Sequence, residues 1–385
     1  MRLAVFTDNF YPELSGIADV ILTLGKQLVQ RGHQLTIFAP RYAQRNYQRI
    51  RAARLHSSLV SGITVVRWWS VPYPTGTQQG RMVMPLPWRW LQVKRYQPEV
   101  IHSHHFFGVG LEALWVARRL GLPLIGTKHT AIEKFLQYSP IQTPWTDHQI
   151  LRYVNWYYRQ CQVVTAPTQA ILDTMEPAQP HQQYRVITNP IDETIFYPIS
   201  QLPAVSLPLY TIVHAGRLAP ERSVDVLIRA MVEIKKSLPE VQLRIVGHGT
   251  AEKTLRRLAK QLQLGNTVQF LGYLPPEQLA QIYHTSQLFV ITSQAETQSL
   301  VALQAMATGL PVVAVDLPVF QEWVTPTIGA LVPFGDVPLL ASTIVRLLRD
   351  QPLCQRLRAG CIAAASHYSA SQIVTTWEEL YRSLL

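Results

Sequence analysis

The chain reads as an α/β protein built from two parallel-sheet domains, and three observations lead there. Short apolar runs alternate with segments of helical periodicity from the first residues onward, which means parallel strands joined by crossover helices. The alternation breaks at a proline-rich, aperiodic stretch, NPIDETIFYPISQLPAVSLP at 189–208, and then begins again. The length, 385 residues, is that of two domains of similar size. The expected boundaries are 1–190 for the first domain, 191–370 for the second and 371–385 for a tail helix.

In the first half, residues 2–6 are an apolar strand, residues 17–31 repeat apolar side chains at helical spacing, and residues 34–39 are the next strand. The loop between them, DNFYPELSGIADV, contains Gly16, which lets a backbone approach a phosphate more closely than a side chain permits. A plain turn glycine gives the same pattern. Residues 41–54, RYAQRNYQRIRAAR, are basic and aromatic, so they read as an amphipathic surface segment or a loop lying on a membrane. In residues 85–97, PLPWRWLQVKRYQ, Trp88, Trp90, Leu91 and Tyr96 interleave with Arg89, Lys94 and Arg95. That mixture suits lipid headgroups, because Trp and Tyr join an apolar body to a polar tip; it equally suits a core helix with a solvated basic face. Residues 100–102 are a short strand opening onto Ser103, His104 and His105. With no Asp-x-Asp and no His-Glu-x-x-His in the chain, these histidines do not read as a metal site. A helix at 145–158, a strand at 163–166, a helix at 168–175 and a strand at 185–188 complete this half.

The second half opens with a strand at 211–215 leading into GRLAPERSVDVLIRA, which places Arg217 and Arg222 just past the strand end. Strands at 243–246 and 268–271 follow; Gly247 and Gly249 lack the spacing of a dinucleotide fingerprint. The most informative stretch is SQAETQSLVALQAMATGLPVVAVD at 293–316, preceded by the apolar strand 288–291. Glu296 sits where that strand meets a helix N-terminus, at the edge where open α/β sheets bind ligands. The amides of Gln298, Ser299 and Leu300 make an anion site there. A carboxylate that grips a hydroxyl beside a phosphate site points to a sugar diphosphate, against the alternative of an ordinary turn with an exposed Glu.

The net charge of +11 lies wholly in the first half: residues 1–190 carry 20 basic and 9 acidic residues, residues 191–385 carry 15 of each. Such asymmetry calls for an anionic partner, whether membrane, nucleic acid or substrate. Three cysteines without a CxxC pair point to neither a disulfide framework nor zinc. No uncharged apolar run approaches the roughly 20 residues of a membrane span, and the chain begins directly with a strand. A cytoplasmic protein held peripherally at the inner face of the membrane is expected.

The stretch around Glu296 resembles the Glu-x7-Glu signature of retaining GT-B glycosyltransferases, the "glycosyl transferases group 1" family. It matches at Ser293, Glu296, Ala305-Met306-Ala307, Gly309 and 311–314; it departs at Ser299, where Gly is usual, and at Gln304, where the second Glu is usual. The Glu-Thr-Gln triplet at 296–298 resembles the diacylglycerol glucosyltransferase branch. Other matches run through the chain: Glu99 to His104 against D-x-x-H-x-H, residues 189–198 against the hinge motif, and 216–230 against G-R-L-x-x-x-K-G, with Arg222 for Lys and Ser223 for Gly. The resemblance implies a GT-B fold, two Rossmann-like domains facing a cleft, with the tail helix crossing back to the first. It implies transfer of a hexose from a nucleotide sugar, UDP-glucose in the lipid branch, with no metal or cofactor. Glu296 would hold a sugar hydroxyl, His104 would orient the sugar, and Arg217 and Arg222 would take the leaving group's charge. Gly16, Gln298, Ser299 and Leu300 would serve the diphosphate, Gln304 the ribose, and Tyr273 and Leu274 the base; His129 resembles a further cleft position. The acceptor is expected to be a membrane lipid such as diacylglycerol. A soluble sugar acceptor and a binding protein that has lost its second Glu are the alternatives. Nucleic acid is not an expected partner, since it leaves the signature unexplained.

Overall fold

A computed structural model gives the structure of the protein and describes residues 1–13, 15–49, 61–73, 80–130, 132, 136, 143–199 and 210–385. The chain divides into two compact units, Met1–Pro190 with Ala370–Leu385, and Ile191–Ser369. Part of the proline-rich stretch, residues 200–208, and part of the basic segment, residues 50–54, lie outside the described residues.

The strands of the first unit are β1 (Arg2–Phe6), β2 (Gln34–Pro40), β3 (Ile63–Trp68), β4 (Ser70–Pro72), β5 (Arg81–Val83), β6 (Val100–Ser103), β7 (Leu124–Thr127), β8 (Val163–Ala166) and β9 (Gln183–Val186). β4 and β5 pair antiparallel as a small ribbon. The other seven form one parallel sheet in the order β3-β2-β1-β6-β7-β8-β9. Successive residues of β1 feed two cores: Leu3 and Val5 pack with the helices Gly16–Gln30 and Ala370–Arg382, whereas Ala4 and Phe6 pack with Arg89–Lys94, Val109–Leu120 and Pro144–Tyr158. The period-two alternation thus fills both faces of the sheet.

One carboxylate of the tail helix gathers several cationic partners. Glu378 accepts from Arg31 at 2.9 Å and from Arg382 at 2.6 Å, and lies 3.0 Å from His33 Nε2. The Arg31 hydrogen bond above all holds this carboxyl below its ordinary value of 4.5. A depressed carboxyl contributes stability above its unfolded pKa and loses it as pH falls through its folded one. Glu378→Gln is therefore expected to cost about 1.5–3 kcal/mol at pH 7 and much less in strong acid, read from urea unfolding at each pH. An equal cost at both pH values would refute the electrostatic account.

The second unit contains β10 (Tyr210–Ala215), β11 (Val241–Val246), β12 (Val268–Gly272), β13 (Leu288–Ile291), β14 (Val312–Val315) and β15 (Gly329–Val332). All are parallel, in the order β12-β11-β10-β13-β14-β15. The helices Val224–Ser237 and Val337–Arg349 cover one face through Leu227, Met231, Ile344 and Leu347.

Four sequence expectations change. The helix expected at 168–175 is a single turn, Gln169–Leu172, and the strand expected at 185–188 is β9, shifted two residues earlier. As an edge strand β9 is largely exposed, so polar Gln183 and Arg185 carry no apolar signal. In the basic segment at 41–54, Tyr42 and Tyr47 are buried, so they are not surface anchors. The Tyr42 hydroxyl is drawn inward to donate to the buried Glu13 carboxylate at 2.9 Å. Arg89, expected with the exposed charges of 85–97, is buried against the equally buried Glu112 at 3.2 Å, where the two charges offset each other.

Candidate active site

Each sheet has one point where the strand order reverses, and ligands of open α/β sheets collect at the carboxyl ends of the strands there. In the second unit the reversal lies between β10 and β13. The loop after β10 carries Arg217, Glu221 and Arg222, and the loop after β13 carries Ser293 and Glu296. The two loops meet in an ion pair: Arg222 Nη1 donates to Glu296 Oε1 and, at 3.2 Å, to Ser293 Oγ. Arg217 pairs with Glu221 at 3.0 Å in the same region. The two arginines expected to meet a diphosphate are therefore both held by carboxylates, one of which is the expected sugar-binding group.

Glycine pairs these loops tightly. A Cβ on Gly247, after β11, would come within 1.8 Å of Gly216 O, and one on Gly249 within 2.1 Å of Leu218 O. The Gly-His-Gly sequence is thus spent on loop packing rather than on a phosphate cradle. Tyr273 and Leu274 follow β12, three places from β13 in the sheet, and both are half-buried. At about 4.8 Å per strand, the edge spans roughly 14 Å between their loop and that of Glu296, enough to separate a base from a sugar.

The helix Leu300–Ala307 starts beside Glu296. Gln298, Ser299 and Gln304 are buried with it, and among the described residues the Ser299 hydroxyl has no hydrogen-bond partner. Ser223 and Ser299 both adopt left-handed backbone, with φ of 49° and 72°. At both positions the resembling family carries Gly, so the turn is kept and the serine bears its strain. Ser299→Gly removes a left-handed Cβ and a buried unpaired hydroxyl together. It is expected to raise stability by about 1 kcal/mol, seen as a higher urea midpoint, although glycine in ordinary backbone destabilises. A lower midpoint would show that the turn is unstrained.

In the first unit the reversal lies between β1 and β6. Gly16 opens the helix that follows β1, capped by the Ser15 hydroxyl accepting from Ile17 N at 3.2 Å. His104 follows β6, its backbone N–H donating to Phe6 O at 2.9 Å. Its Nδ1 lies 2.7 Å from His129 Nε2, with the two rings stacked. His102 packs against Trp377 and bonds Tyr381 and Thr127, a position in the core. Burial, reinforced by neighbouring imidazoles, holds His104 well below its ordinary value, and His129 is lowered to about 3. Both rings are neutral at pH 7, so one nitrogen of each donates and the other accepts. Asp8, at the end of β1, accepts from Val83 N at 3.1 Å and Val109 N at 3.3 Å, and burial pushes its carboxyl up to about 8. It caps the helix Val109–Leu120, whose own cap residue is Gly108 in left-handed backbone; a Cβ there would meet Asp8 Oδ2 at 2.7 Å. Among the described residues no group of His, Cys, Asp and Glu is arranged to hold a metal ion.

Two family profiles cover this architecture almost end to end. "Glycosyltransferase Family 4" matches residues 14–194, and "Glycosyl transferases group 1" matches residues 205–361. The chain belongs to the group 1 glycosyltransferases, of GT-B fold. This glycosyltransferase is 25% identical to an alpha-monoglucosyldiacylglycerol synthase of Streptococcus pneumoniae, over 90% of the chain and 78% of the relative. Its fold matches sucrose-phosphate synthase from Thermosynechococcus elongatus with a TM-score of 0.80 at 21% identity, covering 100% and 98% of the two chains. It also matches Anabaena HepE in complex with UDP and glucose, with a TM-score of 0.76 at 20% identity over 100% of both chains.

Some polar residues of this glycosyltransferase's sheet edges escaped sequence reasoning. His214, on β10, is fully buried with Nδ1 3.0 Å from Val290 O and with no partner for Nε2 among the described residues, and burial lowers it to about 4. A lone histidine in an apolar strand was the available signal. Glu221 could be suspected only from alternating charge in PER at 220–222.

Proposed function

We propose that the protein is a retaining, metal-independent hexosyltransferase that moves glucose from UDP-glucose to a membrane lipid of the diacylglycerol class. The observation that carries the donor half is the Arg222–Glu296 pair beside the unpartnered Ser299 hydroxyl at a helix N-terminus. A diphosphate competes for Arg222 with more charge than one carboxylate offers. Its arrival draws Arg222 onto the phosphate and releases Glu296 to accept from a sugar hydroxyl. As the bond between the anomeric carbon and the phosphate breaks, charge grows on the leaving oxygen, and Arg222 with Arg217 stabilises it. Gln298, Ser299 and Leu300 add helix-terminal donors, and Gly16 admits the phosphate from its own helix N-terminus. His104 orients the sugar, with its tautomer set by His129. Gln304 takes the ribose, since an amide both donates and accepts, and Tyr273 and Leu274 flank the base.

The acceptor half is supported by the basic first half of the chain, the Glu-Thr-Gln triplet at 296–298 and the named activity of the pneumococcal relative. The assignment puts acceptor binding in residues 1–190, donor binding in residues 191–370 and the protein at the inner face of the membrane. UDP-glucose turnover should rise severalfold when diacylglycerol in mixed micelles is added, with glucosyl lipid as the product. Turnover that responds instead to a soluble sugar or sugar phosphate would move the acceptor assignment. Absence of calorimetric binding by UDP at millimolar ligand would leave a protein without donor function.

A further inference from the structure

We propose that the outer surface of three helices in the first unit, Arg89–Lys94, Val109–Leu120 and Pro144–Tyr158, is the docking face for an anionic lipid bilayer. This deepens the lipid reading above and rests on it for the choice of partner. The three helices pack inward on one sheet face through Val93, Ala113 and Tyr157. They lie side by side: Arg89 pairs with Glu112 on the second, and Arg118 on the second donates to Gln160, just past the third, at 2.5 Å.

Their outward sides repeat one pattern. On the first, Trp88 and Leu91 are exposed and followed by Lys94 and Arg95. On the second, Trp115 is followed one turn on by exposed Arg118 and Arg119. On the third, Trp145, Arg152 and Trp156 stand at whole-turn intervals on the exposed side. The tryptophans are 60%, 40%, 70% and 43% exposed, where this residue is ordinarily mostly buried. Acids hardly offset the cations. Glu112 is buried against Arg89, Glu176 is taken up by Arg159 and Asn155 at the far end of the third helix, and Asp147 lies in that helix's first turn. Indoles rimmed by cations fit the boundary between headgroups and acyl chains, with the charges drawn to anionic lipid. Leu91 offers nothing to a phosphate backbone, which favours lipid over nucleic acid.

The test uses the whole chain with phosphatidylcholine vesicles, with and without phosphatidylglycerol. Wild type should sediment with the anionic vesicles, its tryptophan emission shifting to shorter wavelength and being quenched by brominated acyl chains. Replacing Arg118, Arg119 and Arg152 by Gln should weaken partitioning about fivefold per charge, roughly a hundredfold together. Replacing Trp88, Trp115, Trp145 and Trp156 together by Ser should abolish the quenching. Both variants should keep the wild-type melting temperature and UDP-glucose hydrolysis without vesicles. Variants that are folded and still bind like wild type overturn the proposal. So does a wild type that ignores vesicles and binds a single-stranded oligonucleotide. Docking without any lipid being glucosylated upholds this face while removing the lipid-acceptor reading.

Discussion

Glu296→Gln is expected to lower sugar transfer by about ten- to a hundredfold while UDP affinity stays equal or rises. A hydrogen bond to a charged group is worth about 1.5–3 kcal/mol, and each 1.36 kcal/mol on the barrier is tenfold in rate. The amide keeps the shape of the carboxylate but loses its charge, so the sugar hydroxyl loses its strong acceptor. The same change loosens the hold on Arg222, which Glu296 engages in the structure, and a free guanidinium meets the diphosphate at less cost. Turnover and calorimetric binding therefore separate in opposite directions. Wild-type turnover would remove Glu296 from the chemistry, and a parallel loss of UDP affinity would show that the carboxylate merely props the loop.

Arg89→Met is expected to destabilise the first unit by about 3–5 kcal/mol, as breaking a buried pair does by stranding the remaining charge. Arg89 and Glu112 have side chains 6% and 2% exposed. The Arg89 guanidinium also donates to Met84 O at 2.9 Å and lies 4.7 Å from the Trp68 ring centre. Glu112 accepts in addition from Leu86 N at 2.7 Å. The double change with Glu112→Leu should recover most of the loss, since an apolar pair of similar volume replaces the ions; what remains is the Leu86 amide and the Met84 carbonyl, both left without these partners. Urea unfolding of the two variants decides it. A single variant losing less than about 1 kcal/mol would mean that water reaches the pair.

Much of this architecture is written in local pattern. The strands 288–291 and 163–166 were legible to the residue, because a strand buried on both faces is a nearly continuous apolar run, broken here only by Thr165. β9 was misplaced because an edge strand needs no such run. The Glu296 turn was legible as strand, polar turn and helix start, and the signature residues within it named the enzyme class. What no local pattern contained was the partner of each charge. Arg222 and Glu296 are 74 residues apart, and Arg89 and Glu112 are 23 apart. Read along the chain, Arg222 and Glu296 face a ligand, Arg89 belongs with the basic residues of 85–97, and Glu112 carries no signal.

The serines at 223 and 299 show the same division. Their departure from Gly is plain in the sequence, but only the backbone reveals that both stand at positive φ, so that the turn survived the substitution. By itself the sequence determined two parallel α/β domains, the glycosyltransferase class and the loops that carry its polar groups, because periodicity and strand-end turns are local properties. The tertiary structure alone decided which basic and aromatic side chains face water. That depends on where a buried carboxylate requires a donor: Glu13 takes Tyr42 and Glu112 takes Arg89 into the core. Desolvating an unpaired charge costs more than burying its partner, so the inside claims the residues it needs, and Trp88, Trp115 and Trp156 are left outside with the remaining cations.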